Sequence, residues 1–115
     1  MANKQYKNKQ HLLWVKQRPC LVGGCNNHNV VAHHLLKPFD GYRGTGMKAN
    51  DRNAIPLCND HHVSLHTQHG SEKSFFTALG LDAQTGKFVA EALWNKSPYN
   101  EKQEKWESEL DNLPF

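Results

Sequence analysis

Eleven side chains in this sequence could hold a metal ion or carry a proton at neutral pH, and they cluster. Three cysteines stand at 20, 25 and 58, and all eight histidines fall between His11 and His69. An odd number of cysteines argues against a disulfide framework, and cysteine among clustered histidine argues for metal. Cys20-x4-Cys25 and Cys58-x2-His61 form two chelating pairs. A gap of two residues lets both side chains turn toward one tetrahedral ion, and a Cys3His set suits structural zinc. Such an ion would tie the turn at 20–25 to the residues at 58–61.

The remaining histidines suggest a second site. His62 and His66 are four apart, so on a helix they share a face one turn apart, a chelating spacing. His61 points about 100° away from His62 on the same helix, which permits two different sites there. His33 and His34 are neighbours in the apolar run Val30–Leu36, and adjacent strand residues face opposite ways, so the two should have different roles. His69 precedes the helix-ending Gly70 and is expected to be bland. His11 and His28 receive no assignment.

The elements that must position these groups can be read from the pattern. Residues 9–17 suit a short helix ended by Pro19, which biases Arg18 away from helical geometry. Residues 29–36 read as a strand. Residues 37–52 form a loop with glycines at 41, 44 and 46, carrying Lys37, Arg43, Lys48 and Arg52. Residues 53–57 are a second strand, with Pro56 confining it to an edge or an end. Asn59 or Asp60 caps a helix to about Gln68, with Gly70 as its stop. Ser71 caps the next helix, through Phe75, Phe76 and Leu79. Asp82 caps another, with Phe88, Val89, Ala92 and Leu93 as its apolar stripe. The middle of the chain therefore runs strand, loop, strand, helix.

Within that unit, His34, Asn53 and His62 read as H…N…H. The frame Asn53-Ala-Ile-Pro-Leu-Cys58-x-x-His61-His62 resembles the N-x-x-x-L-C-x-x-C-H stretch of zinc-containing HNH nucleases, with His61 in place of the last thiol. The doublet His33-His34 resembles that family's metal ligand followed by general base, and His62-x3-His66 resembles the paired helix ligands of the nuclease colicins. More narrowly, residues 10–95 are similar to phage and prophage HNH proteins of the Ref (recombination enhancement function) type. Gly23 stands where family members often carry the second thiol of C-x-x-C, with Cys25 displaced.

The resemblance implies an α+β fold, a small ββα-metal (HNH, or His-Me finger) core with a structural zinc site and flanking helices. It implies a DNA endonuclease or nickase in phage DNA recombination or processing. It assigns His34 as general base and gives His33, His62 and His66 to one catalytic divalent ion. Asn53 would fix the hairpin loop or the base through its amide. Imidazole ligands admit manganese, nickel, cobalt or zinc readily, whichever of these or magnesium is used. Cys20, Cys25, Cys58 and His61 would hold the structural zinc. Arg43, Lys48 and Arg52 would contact phosphate without reading sequence.

Charge and composition fit this picture. The net charge is +3, and it divides into twelve bases against six acids in residues 1–96 and two against five in residues 97–115. A basic body suits a polyanion. The 115 residues are 37% hydrophobic, enough for one domain with a thin core that a metal would staple. The expected layout is a flexible terminus (1–8), a nuclease domain (9–96) and an acidic tail (97–115). No apolar run is long enough to span a membrane. With no secretory leader pattern, the expected compartment is the cytoplasm, the host's if the protein is phage-encoded. The expected partners are DNA and a recombinase or other DNA-processing protein. The competing reading is a zinc-stabilised nucleic-acid-binding module without catalysis.

Overall fold

The computed structural model describes residues 6–40 and 48–100. Helix α1 (Lys9–Lys16) starts at Asn8, whose side chain accepts from the His11 N–H at 3.0 Å. It ends ahead of Pro19, as expected. Strands β1 (Val30–His34) and β2 (Ala54–Cys58) form a two-stranded antiparallel sheet, with Val30 opposite Cys58 and His34 opposite Ala54. Helix α2 (Asn59–Ser64) runs directly into a π-helical turn, Leu65–His69. Gly70 closes that turn at φ +74°, its N–H bonding the Leu65 carbonyl at 2.7 Å. A side chain is disfavoured at that φ, which is why glycine stands there. Helices α3 (Glu72–Ala78) and α4 (Thr85–Lys96) follow. Among the described residues this makes a small α+β fold, one hairpin with four α-helices. Among the described residues, no helix is long and apolar enough to cross a membrane.

The core gathers around β2. Leu35, Ile55, Leu57, Leu65, Phe75, Phe76 and Ala90 pack there together with Cys20 and Cys58. Every residue of β2 is buried. Pro56 has no N–H to donate, and its carbonyl accepts from Leu21 at 2.8 Å, so the turn that carries Cys20 and Cys25 docks on the outer edge of β2.

Two expectations change here. The apolar stripe of α4 is rotated: Phe88 is 62% exposed and Ala92 is exposed, while Gly86 and Ala90 are buried. A Cβ on Gly86 would stand 3.0 Å from the Phe76 ring and 3.1 Å from Leu35, so glycine is what lets α4 approach the core. Helix α4 begins at Thr85, with Asp82 instead folding the preceding turn by accepting from the Gln84 N–H at 2.7 Å.

Of the expected terminus (1–8) and tail (97–115), the described residues 6–8 and 97–100 pack together. Asn8 is buried, and so are Ser97 and Asn100. The Asn8 amide donates to the Tyr99 carbonyl at 2.7 Å. His11 is fully buried, its Nδ1 2.9 Å from Ser97 Oγ and its ring edge-to-face with Trp94. Residues 101–115 lie outside the described residues.

Burial holds the His11 imidazole down at about 4, against an ordinary 6.5, although Asp51 pulls the other way. An unfolded chain takes up this proton near pH 6.5, and the folded chain resists it until near pH 4. The His11 contribution to stability should therefore fall as pH drops from 6.5 toward 4, by up to about 3 kcal/mol. Denaturant midpoints measured across this window should fall more steeply for the wild type than for His11→Gln.

Candidate metal centres

The first centre forms where the turn, the sheet and α2 meet. Cys58 is the last residue of β2 and the N-cap of α2, its sulfur accepting from the His61 N–H at 3.3 Å. The cap is thus Cys58, not Asn59 or Asp60. Cys25 is brought in by a tight turn in which its N–H bonds the Val22 carbonyl at 3.2 Å and Gly24 takes φ +80°. That glycine is what lets a four-residue gap do the work of a two-residue one.

The ligand atoms converge. Cys25 and Cys58 sulfurs are 3.8 Å apart, and His61 Nδ1 lies 3.1 Å from Cys58 and 3.5 Å from Cys20. Bonds of 2.3 Å to a tetrahedral ion place two sulfurs about 3.8 Å apart, whereas a disulfide would need about 2 Å. All three cysteines are free thiols. Burial pushes the Cys20 thiol up, and the Asn27 backbone N–H draws the Cys25 thiol down toward the thiolate. The four residues 20, 25, 58 and 61 form one cluster able to hold a metal ion such as zinc.

The second cluster is His33, His62 and His66, with their ligating nitrogens all within 4.8 Å. The ring centroids form a near-equilateral triangle of 5.1, 5.2 and 4.7 Å. The π-turn keeps His62 and His66 on one side, with Nε2 atoms 3.2 Å apart. Two nitrogens on one tetrahedral ion at 2.0–2.1 Å stand about 3.3 Å apart, so the pair fits a shared metal. Burial, and then the positive fields of His33, His66 and Lys48, hold His62 below its ordinary value, which favours the neutral, ligating form.

Glu72 completes this cluster, and the sequence reading missed it. His33 is buried, and its Nε2 lies 3.1 Å from Glu72 Oε2. The same carboxylate accepts from the N–H groups of Leu36 at 2.9 Å and Lys37 at 3.0 Å. Burial alone would raise the Glu72 carboxyl, but the bonds from His33, Leu36 and Lys37 outweigh it and hold the group low. A carboxylate only accepts, so His33 donates from Nε2 and keeps Nδ1 for a metal. Carboxylate–imidazole–metal relays of this kind orient the ligand.

The other expected site residues separate. His34 does not join the trio, and its Nε2 bonds Asp51 at 2.8 Å. Asn53 is fully buried and works on the loop: its Oδ1 accepts from the Phe39 N–H at 2.7 Å and its Nδ2 donates to Asn50 at 3.0 Å. Lys48 borders the histidine cavity. Arg52 lies 4.7 Å over the Tyr6 ring and 3.9 Å from Asp40, so it braces the hairpin loop. Arg43 lies outside the described residues. His69 bonds Ser74 at 3.2 Å and packs on Phe75, a local role.

These features define a small α+β domain with two separate metal-ligand clusters, one rich in thiol and one all imidazole. The chain belongs to the family described as "Protein of unknown function (DUF968)", which it matches over residues 2–87. It is similar to the "Uncharacterized protein YdfU" of Escherichia coli (strain K12), with 36% identity over 64 residues, 56% of this chain and 17% of that protein. The chain thus corresponds to a minor part of that relative's length. No solved structure matches it.

Elemental analysis should find about one zinc per chain retained by His62→Ala and lost from Cys58→Ala. Structural zinc sites contribute on the order of 10 kcal/mol to folding, so Cys58→Ala should also lose its cooperative melting transition. Glu72→Gln should keep the thiol-bound zinc. It should bind manganese or nickel at the imidazole cluster roughly 10–100-fold more weakly by calorimetric titration.

Proposed function

We propose that this domain is a metal-dependent HNH-type endonuclease or nickase that hydrolyses DNA phosphodiesters on a ββα-metal core. The observation that carries this reading is one cavity, about 210 Å3, bordered by His33, His34, His62, His66 and Lys48. Three imidazoles suited to a divalent ion, a fourth held apart from them and a cation share one opening. A binding module has no use for the fourth.

The residues divide the labour. His33, His62 and His66 would hold the ion, with Glu72 fixing the orientation of His33. The chemistry such an ion supplies when bound is charge neutralisation at the scissile phosphate and the leaving 3′ oxygen. His34 is the general base. Its Nε2 proton is committed to Asp51, which leaves Nδ1 as the lone pair that takes a proton from the attacking water. Neutral imidazole is the side chain best suited to that near pH 7. Lys48 adds positive charge where phosphate would enter, a contact blind to sequence. Asn53 holds the loop that carries Lys48 and Asp51 against β1. One such centre among the described residues favours nicking one strand at a time. The work this suits is phage or prophage DNA recombination and processing beside a recombinase, in the host cytoplasm.

Supercoiled plasmid incubated with magnesium or manganese should be nicked by the wild type. His34→Ala should bind DNA as the wild type does and cut roughly 10²–10⁴-fold more slowly, the usual worth of a general base. His62→Ala should lose cleavage and keep its zinc. Wild type that binds DNA and cuts it in no metal would overturn the nuclease reading in favour of the binding module.

A further inference from the structure

Asp51 occupies the turn ahead of β2, among Asn50, Arg52 and Asn53, where an acid looks like ordinary turn chemistry. Its carboxylate is instead shared between two donors. Oδ1 takes His34 Nε2 at 2.8 Å, and Oδ2 takes the backbone N–H of Asn8 at 2.7 Å. The Asp51 N–H in turn bonds the Tyr6 carbonyl at 3.2 Å. Both side chains are well shielded, with 18% of His34 and 14% of Asp51 exposed. The acid is therefore gripped from behind by residues 6–8 and presents one oxygen to one ring nitrogen.

We infer that Asp51 is the positioning residue of the base: it locks His34 in the Nε2–H tautomer and fixes its ring so that Nδ1 is the nitrogen left to accept a proton. The inference rests on the nuclease reading above for its consequence, and on the two hydrogen bonds for its geometry. A carboxylate has no proton to give, so the proton in the His34–Asp51 bond belongs to Nε2. The Asn8 N–H sharpens the requirement. Two donors face the two oxygens of Asp51, and an amide at that position could satisfy only one of them. If its oxygen turned to Asn8, its NH2 would face His34 Nε2 and force the opposite tautomer, with Nδ1 protonated and unable to act as a base.

This gives a signature that a purely structural role lacks. A residue that only braces the loop should suffer more from Asp51→Ala, which removes the whole group, than from the isosteric Asp51→Asn. A tautomer lock should show the reverse order, because alanine leaves the ring free to adopt either form. In plasmid nicking with manganese, Asp51→Asn should lower kcat roughly 10²–10⁴-fold with KM unchanged, and Asp51→Ala should lose less. Long-range 1H–15N spectra of the zinc-loaded full chain should show His34 as Nε2–H in the wild type and as Nδ1–H in Asp51→Asn.

An Nδ1–H tautomer in the wild type would overturn the inference. So would Asp51→Asn cutting at the wild-type rate while His34→Ala is inactive, an outcome that leaves the nuclease reading standing. A wild type that shows the Nε2–H signature and cuts no DNA in any metal would overturn the nuclease reading, and with it the role of the lock as a positioner of a base.

Discussion

Antiparallel pairing of β1 with β2 decides where each ligand can go. With His33 opposite Ile55 and His34 opposite Ala54, the neighbouring imidazoles are sent to different partners. His33 turns to Glu72, His62 and His66, and His34 turns to Asp51. A slip of one residue in register would exchange the faces and place the wrong ring among the ligands. The register is therefore held hard. Asn53 accepts the Leu35 N–H on its carbonyl at 2.9 Å at the loop end, and Asn59 donates to the Asn29 carbonyl at 2.8 Å at the other.

At that far end, Cys58 joins three functions in one residue: it finishes β2, caps α2 and belongs to the thiol cluster. The thiol centre therefore sets the angle at which α2 leaves the sheet. His62 lies one residue past His61 on the same helix, so the thiol centre also fixes where the imidazole cluster can form. The two centres are chemically separate and mechanically linked. A thin apolar core would leave that helix angle loose, and a metal held by the ligand cluster at the strand–helix junction would make up for it.

How far the sequence discloses this depends on the range of each interaction. Cysteine and histidine spacings within one turn were legible because helix and turn geometry alone relates the residues. The strand, loop, strand, helix order was legible for the same reason. Glu72 and Asp51 were not, because each meets its histidine across the fold, 39 and 17 residues away. In sequence, Glu72 looks like a first-turn acid behind the Ser71 cap, and Ser71 does cap α3, bonding the Ser74 N–H at 3.1 Å. The aromatic and acidic neighbours of Arg52 were hidden for the same reason, since they come from residues 6 and 40. The rotated face of α4 has a similar cause: Gly86 carries no hydrophobicity, yet it lies tight against Phe76 and Leu35.

Asn8 connects residues 97–100 to the candidate base. Its side chain caps α1 and reaches the Tyr99 carbonyl, and its backbone N–H supports Asp51. Buried polar groups of this kind need every partner, because an unmet donor costs about 1–3 kcal/mol. Residues 97–100 therefore bear on His34 without touching it. They hold Asn8, Asn8 holds Asp51, and Asp51 holds the ring. The same segment carries Ser97, the partner of buried His11, so acid strong enough to protonate His11 would loosen the packing behind Asp51. The catalytic reading thus depends on helix α1 and the residues after α4 as much as on the hairpin, although neither contributes a ligand to the imidazole cluster.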